Sequence, residues 1–388
     1  MVVGTIIGVS IFVQPSEITR QMPTVGGILL VWIAAGVLTL FGALACAELA
    51  SAFPRTGGVY VYLNEAYSPA VGFLWGWAMF WSMHTGIIAA IAMVFARYAA
   101  VFIPMGDLGL RLTAVGLIVL LSAVNILGVR YGARIQTAFT VTKVAAIVVM
   151  MVAGGWLIGG HVVPSVADSA PVMTTTASGF ALAMAAGLFA YGGWHMVTFA
   201  AGETRDAART IPLALVLGTI IVTVCYAGLN ALYLSVLPLE TLRASTRVAA
   251  DAADALTGRG GAVAMAVLVV VSTFGAVNGI ILAGPRVYYS MAQDGLVFSW
   301  VGVLHERFHT PHRALILQAV WASLLTLTGT YRALFTRVVY TEWTFFALMA
   351  GGLFVLRRRS NYAPRYRMWG YPIIPAVFII ASLTIVAF

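Results

Sequence analysis

Long apolar runs separated by short polar breaks make up most of this chain. Runs of about 20 residues, enough to cross a hydrocarbon core about 30 Å thick, fall near residues 1–19, 25–52, 69–103, 112–129, 136–160, 178–200, 212–237, 261–291, 313–330, 333–356 and 371–388. The pattern predicts about eleven transmembrane helices. The longest polar breaks, 161–178, 239–260 and 294–312, are too short to hold a soluble domain. Residues 54–66, with Gly57-Gly58 and the alternation of Tyr60 and Tyr62, are too few to span and too apolar to float. They are expected to form a short amphipathic helix at the cytoplasmic interface. Seven residues precede Gly8, about 10 Å of helix at 1.5 Å per residue, against a half-bilayer of about 15 Å. The last run stops while still apolar, so an earlier start and a twelfth helix are expected of the native chain. No basic segment follows Met1, which does not fit a cleavable signal peptide.

Two runs carry residues that a spanning helix does not favour. The first places Gly4, Gly8, Ser10 and Pro15 where Leu or Ala would serve better, and glycine costs about 1 kcal/mol relative to alanine inside a helix. Gly4 and Gly8 either form a G-x-x-x-G packing face or mark an unwound helix whose freed N–H and C=O groups hold a small zwitterion near the midplane. An inverted-repeat transporter would carry a matching break in its second half. The sixth run supplies one in Phe189-Ala190-Tyr191-Gly192-Gly193-Trp194-His195, near the centre of the span rather than at the headgroups where aromatic belts sit.

The chain has 388 residues, 61% hydrophobic and 9% charged, whereas soluble domains are about one quarter charged. It is a polytopic membrane protein. The net charge of +9 lies mostly between apolar runs, where the positive-inside rule accounts for it better than nucleic acid does. Alternating the sides puts twelve arginines, among them Arg55, Arg130, Arg205, Arg357 and Arg359, on one face and six, among them Arg20, Arg111 and Arg332, on the other. The richer face is cytoplasmic, and the N-terminus lies inside. Cys46 and Cys225 both fall within apolar runs, so no disulfide framework is expected.

Lys143 is the only lysine, and it lies near the middle of the fifth run. A charged group there costs at least about 2.5 kcal/mol and reaches either surface poorly by snorkelling, so a functional role is expected. Its ammonium is either a fixed structural cation or one that loses its proton in part of a cycle. Arg97 is read as snorkelling to the outer interface. His195 is either a functional intramembrane group or a neutral ring bonded to a backbone carbonyl. Glu48 and Glu203 fall near cytoplasmic helix ends, where pairing with Arg55 or Arg205, or gating, is expected ahead of substrate contact. The six histidines are scattered, and His305, His309 and His312 share a loop with only Glu306 as acidic companion. An intramembrane enzyme, a metal site and a cofactor are therefore not expected.

An ordered set of motifs carries a family resemblance. It runs through Gly4-Thr5-Ile6-Ile7-Gly8 with Ile11-Phe12, Ala47-Glu48-Leu49-Ala50, Pro54-Arg55-Thr56-Gly57-Gly58, and Asn125-Ile126-Leu127-Gly128-Val129 with Gln136 and Lys143. It continues through Phe189 to Trp194, Gly202-Glu203, Ile211-Pro212, Phe274-Gly275, Asn278-Gly279, Arg286 and Asp294-Gly295. On these residues the chain resembles the amino acid-polyamine-organocation superfamily, and within it the L-type amino acid transporters and their bacterial relatives. The resemblance implies an all-α fold of two inverted five-helix repeats, here 1–160 and 178–356, followed by helix 11 at 371–388, with helices 1 and 6 broken. It also implies alternating-access transport of amino acids. The substrate carboxylate would meet backbone N–H groups at Ile7, Gly8, Val9, Ser10 and Ile11, and its amino group would meet carbonyls at Phe189, Ala190, Tyr191 and Gly192. In sodium-independent relatives a lysine at the position of Lys143 takes the place of a sodium ion, with carbonyls near Gly4 to Ile7 and a hydroxyl of Ser272 or Thr273 as its partners.

One departure stands out. The family pattern at the first break is Gly-Ser-Gly or Gly-Ala-Gly, and this chain has Gly8-Val9-Ser10. Valine stiffens the backbone, and Ser10 adds a side chain where glycine would let substrate approach. The function expected is sodium-independent exchange or permeation of neutral L-amino acids across a bacterial inner membrane. A sodium- or proton-coupled symporter is the alternative. The expected partners are the amino acid and the lipid bilayer, without nucleic acid, and with room for a single-span accessory subunit.

Overall fold

The computed structural model describes residues 2–158 and 176–387, without the side chains at 129–140, 157, 158 and 203. The described residues build helices α1 (Val2–Ile6), α2 (Gln14–Gln21), α3 (Val25–Ala52), α4 (Val59–Ala66), α5 (Pro69–Ala78) and α6 (His84–Ala99). They continue as α7 (Asp107–Leu127), α8 (Val129–Ile158), α9 (Ala177–Ala190), α10 (Ala207–Val236), α11 (Leu239–Ala244) and α12 (Val248–Thr257). The last are α13 (Arg259–Gln293), α14 (His312–Thr328), α15 (Tyr331–Leu356) and α16 (Ile373–Ala387). No strand occurs among the described residues.

Among the described residues, seven stretches are long and apolar enough to cross a bilayer. A split first segment, α8, α14 and α16 account for the remaining apolar runs. Large aliphatic side chains such as Leu30, Val119, Val152, Val224 and Ile380 are exposed, which fits a lipid-facing surface. The chain is an all-α integral membrane protein.

Local chemistry sets where several helices start. Side-chain oxygens of Thr24, Ser68, Thr176 and Thr330 accept from the backbone N–H three residues on, satisfying one of the four donors each helix leaves open at its start. Pro69 opens α5 directly after Ser68, where its missing N–H costs nothing. The third span is one helix interrupted by a π turn at Met79–Met83. Small residues let the helices close up around the centre. A methyl group at Gly36 of α3 would meet Thr223 of α10 at 2.6 Å, and one at Gly187 of α9 would meet Val31 and Ala35 at 3.2 Å. Such close approach supplies van der Waals contact where the hydrophobic effect offers none.

Three points refine these expectations. The segment at 54–66 forms the expected short helix, α4, and packs most of it into the protein. Val59, Tyr60, Val61, Tyr62 and Leu63 are all buried, because α4 packs against α5 and α15. The Tyr60 hydroxyl donates to Asp294 Oδ2 at 2.5 Å, and burial, reinforced by that carboxylate, holds the phenol above its ordinary range. Secondly, the polar break at 239–260 holds two short helices, α11 and α12, and α12 buries an alanine-rich face. Thirdly, Glu48 pairs with neither Arg55 nor Arg205. Its carboxylate, fully buried, accepts from Arg357 at 2.8 and 2.5 Å and from the Met368 N–H at 2.8 Å, with the Tyr362 hydroxyl at 3.3 Å. Arg55 pairs with Glu65 instead.

The Glu48 cluster ties the C-terminal end of α3 to the end of α15 and the turn before α16. Removing one partner of a buried ion pair costs about 3–5 kcal/mol because the other charge is left uncompensated. Glu48→Gln should therefore lower the denaturation midpoint of the detergent-solubilised protein clearly, and Arg55→Gln, which breaks an exposed pair, should not. Equal midpoints for both variants would remove Glu48 from this structural role.

Candidate functional site

The first span does not continue as a helix. After α1 the chain unwinds at Ile7, Gly8 and Val9, makes one 3₁₀ turn at Ser10–Phe12 and resumes as α2. A methyl group at Gly8 would meet nothing closer than the Ile6 carbonyl at 3.7 Å, so this glycine is not there for tight helix packing. Of the two readings of the glycine pattern, the break is the one present. The sixth span breaks likewise: α9 ends at Ala190, Tyr191 to Gly193 turn, and a 3₁₀ segment follows at Trp194–Glu203. Gly193 has φ +91°, a conformation that disfavours any side chain. A Cβ there would also lie 2.9 Å from the Thr5 carbonyl oxygen, so the glycine lets the two breaks touch.

Carbonyls freed by an interrupted helix inside a membrane need donors from within the protein. Lys143 on α8, 1% exposed, supplies them for the first break. Its Nζ donates to Gly4 O at 2.8 Å and Ile7 O at 2.6 Å. The contacts expected with Ser272 and Thr273 are not made: Thr273 Oγ1 donates to Val269 and Val270 of its own helix, and Ser272 Oγ is buried without a partner. In a helix those hydroxyls have their own carbonyls three and four residues back within reach, a competitor that residue spacing does not reveal.

Tyr226 of α10 sits between the breaks. Its hydroxyl lies 2.9 Å from Ile6 O and 3.1 Å from Ala190 O, and its one proton serves a single carbonyl at a time. Sequence reasoning missed this residue. The available signal was a phenol at the centre of an otherwise aliphatic run, Cys225-Tyr226-Ala227-Gly228. A different set of backbone groups is left open. The N–H groups of Val9, Ser10 and Ile11, and the carbonyls of Tyr191 and Gly192, have no hydrogen-bond partner among the described residues.

A nearly closed cleft lies between the breaks, lined by Thr5, Ile6, Gly8, Ser10, Ile87, Ile91, Phe189, Gly192, Gly193, Met196, Ile280 and Glu342. Of the expected ligand-contacting residues, Gly8, Ser10, Phe189 and Gly192 reach it. Ile7 turns its carbonyl to Lys143, Ala190 turns its carbonyl to Tyr226, and Val9 and Ile11 are buried outside the lining. Tyr191 donates to Trp32 O at 3.0 Å and packs on Trp32 and Tyr226. His195 is buried among Trp75, Trp194, Phe199 and Phe346, its Nδ1 without a partner, and does not line the cleft. The Glu203 side chain lies outside the described residues. Ile87, Ile91, Ile280 and Glu342, from α6, α13 and α15, were not expected, because one aliphatic or one acid in a span has no local signature.

If Tyr226 couples the breaks, Tyr226→Phe should loosen both. Losing a bond of about 1 kcal/mol corresponds to roughly fivefold faster amide hydrogen exchange. The increase should appear in peptides covering 2–12 and 186–196 together; a change confined to one of them would refute the coupling.

Comparison with known proteins places this geometry. The family model described as amino acid permease matches residues 1–388. The chain is 31% identical to the serine/threonine exchanger SteT of Bacillus subtilis (strain 168), over 98% of this chain and 87% of that protein. It is 30% identical to the human cystine/glutamate transporter, over 100% of this chain and 78% of that protein. It is also 30% identical to the human b(0,+)-type amino acid transporter 1, over 92% and 74% respectively. With two facing helix breaks, a cleft between them and a family match along its whole length, the chain belongs to the amino acid permease family.

Proposed function

We propose that this protein moves neutral L-amino acids across the membrane by sodium-independent exchange, with the cleft between the two breaks as the binding site. The observation that carries this reading is the division of backbone groups. Carbonyls of α1 are held by Lys143 and Tyr226, while the N–H groups of Val9, Ser10 and Ile11 stay open on one break and the carbonyls of Tyr191 and Gly192 on the other. A zwitterion has the complementary charges, a carboxylate for the donors and an ammonium for the acceptors.

Sodium independence is argued from Lys143. Its ammonium already sits on the carbonyls of Gly4 and Ile7, oxygens that a coupling cation would otherwise need, and it repels a second cation there. The two halves, 1–160 and 178–356, act as inverted repeats that rock about the broken helices. Phe189, packed on Tyr331 and Phe335 at the edge of the cleft, closes over the substrate. The arginine-rich face and the N-terminus are cytoplasmic, in a bacterial inner membrane, and a single-span accessory subunit is compatible with the exposed apolar surface.

Full-length protein in proteoliposomes, given a panel of labelled amino acids, should take them up faster when preloaded with unlabelled amino acid. Replacing sodium by choline should change nothing. No uptake, or uptake that vanishes without sodium, would overturn the proposal. In the same assay Lys143→Met should lower the rate at least about tenfold, since the lost charged hydrogen bonds are worth about 1.5–3 kcal/mol each. Phe189→Ala should reduce transport far more than it reduces protein level, and normal transport by a well-expressed variant would remove Phe189 from the site.

A further inference from the structure

The cleft has one charged side chain in its lining, Glu342 of α15. It is 5% exposed, and no hydrogen bond or ion pair reaches it among the described residues. The other deeply buried carboxylate, Glu48, shows what an acid kept for structure looks like here: an arginine fork, a tyrosine hydroxyl and a backbone N–H all converge on it. Burying a carboxylate without such partners is costly, and an intramembrane acid at a ligand cleft calls for a partner that the ligand brings. The nearest cation in the breaks, Lys143, does not line the cleft and is committed to Gly4 and Ile7. The same lining includes the aliphatic side chains of Ile87, Ile91 and Ile280.

We propose that Glu342 is a specificity-determining residue for substrates with a second positive charge, so that the protein carries cationic amino acids as well as neutral ones. The ammonium or guanidinium of the ligand side chain meets the Glu342 carboxylate. Its methylene stem lies along Ile87, Ile91 and Ile280, and its α-carboxylate stays on the open N–H groups of the first break. Neutral substrates use the same cleft without engaging the acid. This assignment rests on the amino acid transport reading and adds a substrate class to it.

Uptake of labelled L-serine, L-leucine, L-lysine and L-arginine into proteoliposomes preloaded with unlabelled amino acid tests it, with wild type, Glu342→Gln and Glu342→Asp in parallel. Wild type should take up lysine and arginine. Glu342→Gln should weaken their apparent affinity at least about tenfold more than it weakens that for serine and leucine, the effect of one lost charged hydrogen bond. Glu342→Asp, which keeps the charge, should restore part of the cationic uptake and shows that the site is intact. Serine or leucine uptake by wild type without lysine or arginine uptake would overturn the assignment and leave the transport reading standing. So would a Glu342→Gln protein that moves lysine with wild-type affinity, or one that leaves lysine uptake unchanged and only flattens the pH profile of neutral uptake, the mark of a proton carrier. Failure of wild type to move any amino acid would overturn both.

Discussion

Interrupting a helix inside a bilayer exposes peptide groups to a medium that offers them no partner, and the protein is arranged around meeting that cost selectively. Each unsatisfied group costs several kcal/mol in hydrocarbon. An uncompensated break would simply close back into helix. Lys143 prevents this on the carbonyl side by donating to Gly4 and Ile7, two oxygens that would otherwise serve as acceptors for the continuing helix. Tyr226 does the same for Ile6 and Ala190, and in doing so fixes the two breaks against each other.

The packing follows from these few bonds. For Lys143 and Tyr226 to reach α1, helices α8 and α10 must approach it closely, and α10 does so because Gly218 leaves room: a methyl group there would lie 2.6 Å from Val2. Gly193 must likewise accept the Thr5 carbonyl. Gly193 and Gly218 thus stand where a break or a donor has to be brought within hydrogen-bond distance, and the large aromatics Trp32, Tyr191 and Tyr226 pack on one another nearby.

How much of this was legible depends on whether a feature is local. The spans, the two breaks and the isolation of Lys143 all announce themselves in short windows, as apolar length, as glycine where alanine is preferred, and as one ammonium in an aliphatic run. The Lys143 carbonyl partners lie at the depth its position in the chain implied. What stayed hidden was pairwise and long-range. Glu48 was assigned to Arg55, seven residues away, and found Arg357, which is 309 residues away, because burial favours the partner that can bring a fork and a neighbouring backbone N–H into the same pocket. The Thr273 hydroxyl failed to meet Lys143 because its own helix offers it nearer carbonyls, and Ser272 Oγ meets no partner at all. Helix α4 was legible as a short helix too apolar to float, and only its contacts with α5 and α15 reveal where its buried residues go.

The same contrast separates the fixed parts of the site from the parts a ligand can change. Where a backbone group is to stay as it is, the protein supplies a side chain of its own, as at Gly4, Ile7, Ile6 and Ala190. At Val9, Ser10, Ile11, Tyr191 and Gly192 backbone groups have no partner among the described residues, and of these residues Ser10 and Gly192 line the cleft. A site that bound its own groups fully would have nothing left to distinguish a solute from water, and one that left them all open would not hold its shape. In the proposed function a zwitterion bound between the breaks would complete their satisfaction, contributing the same kind of interaction that Tyr226 contributes permanently. That makes closure of the cleft conditional on a substrate that reaches both breaks, and it explains why two broken helices, held together by one phenol and separated by one small cleft, are needed where a single break would suffice for binding alone.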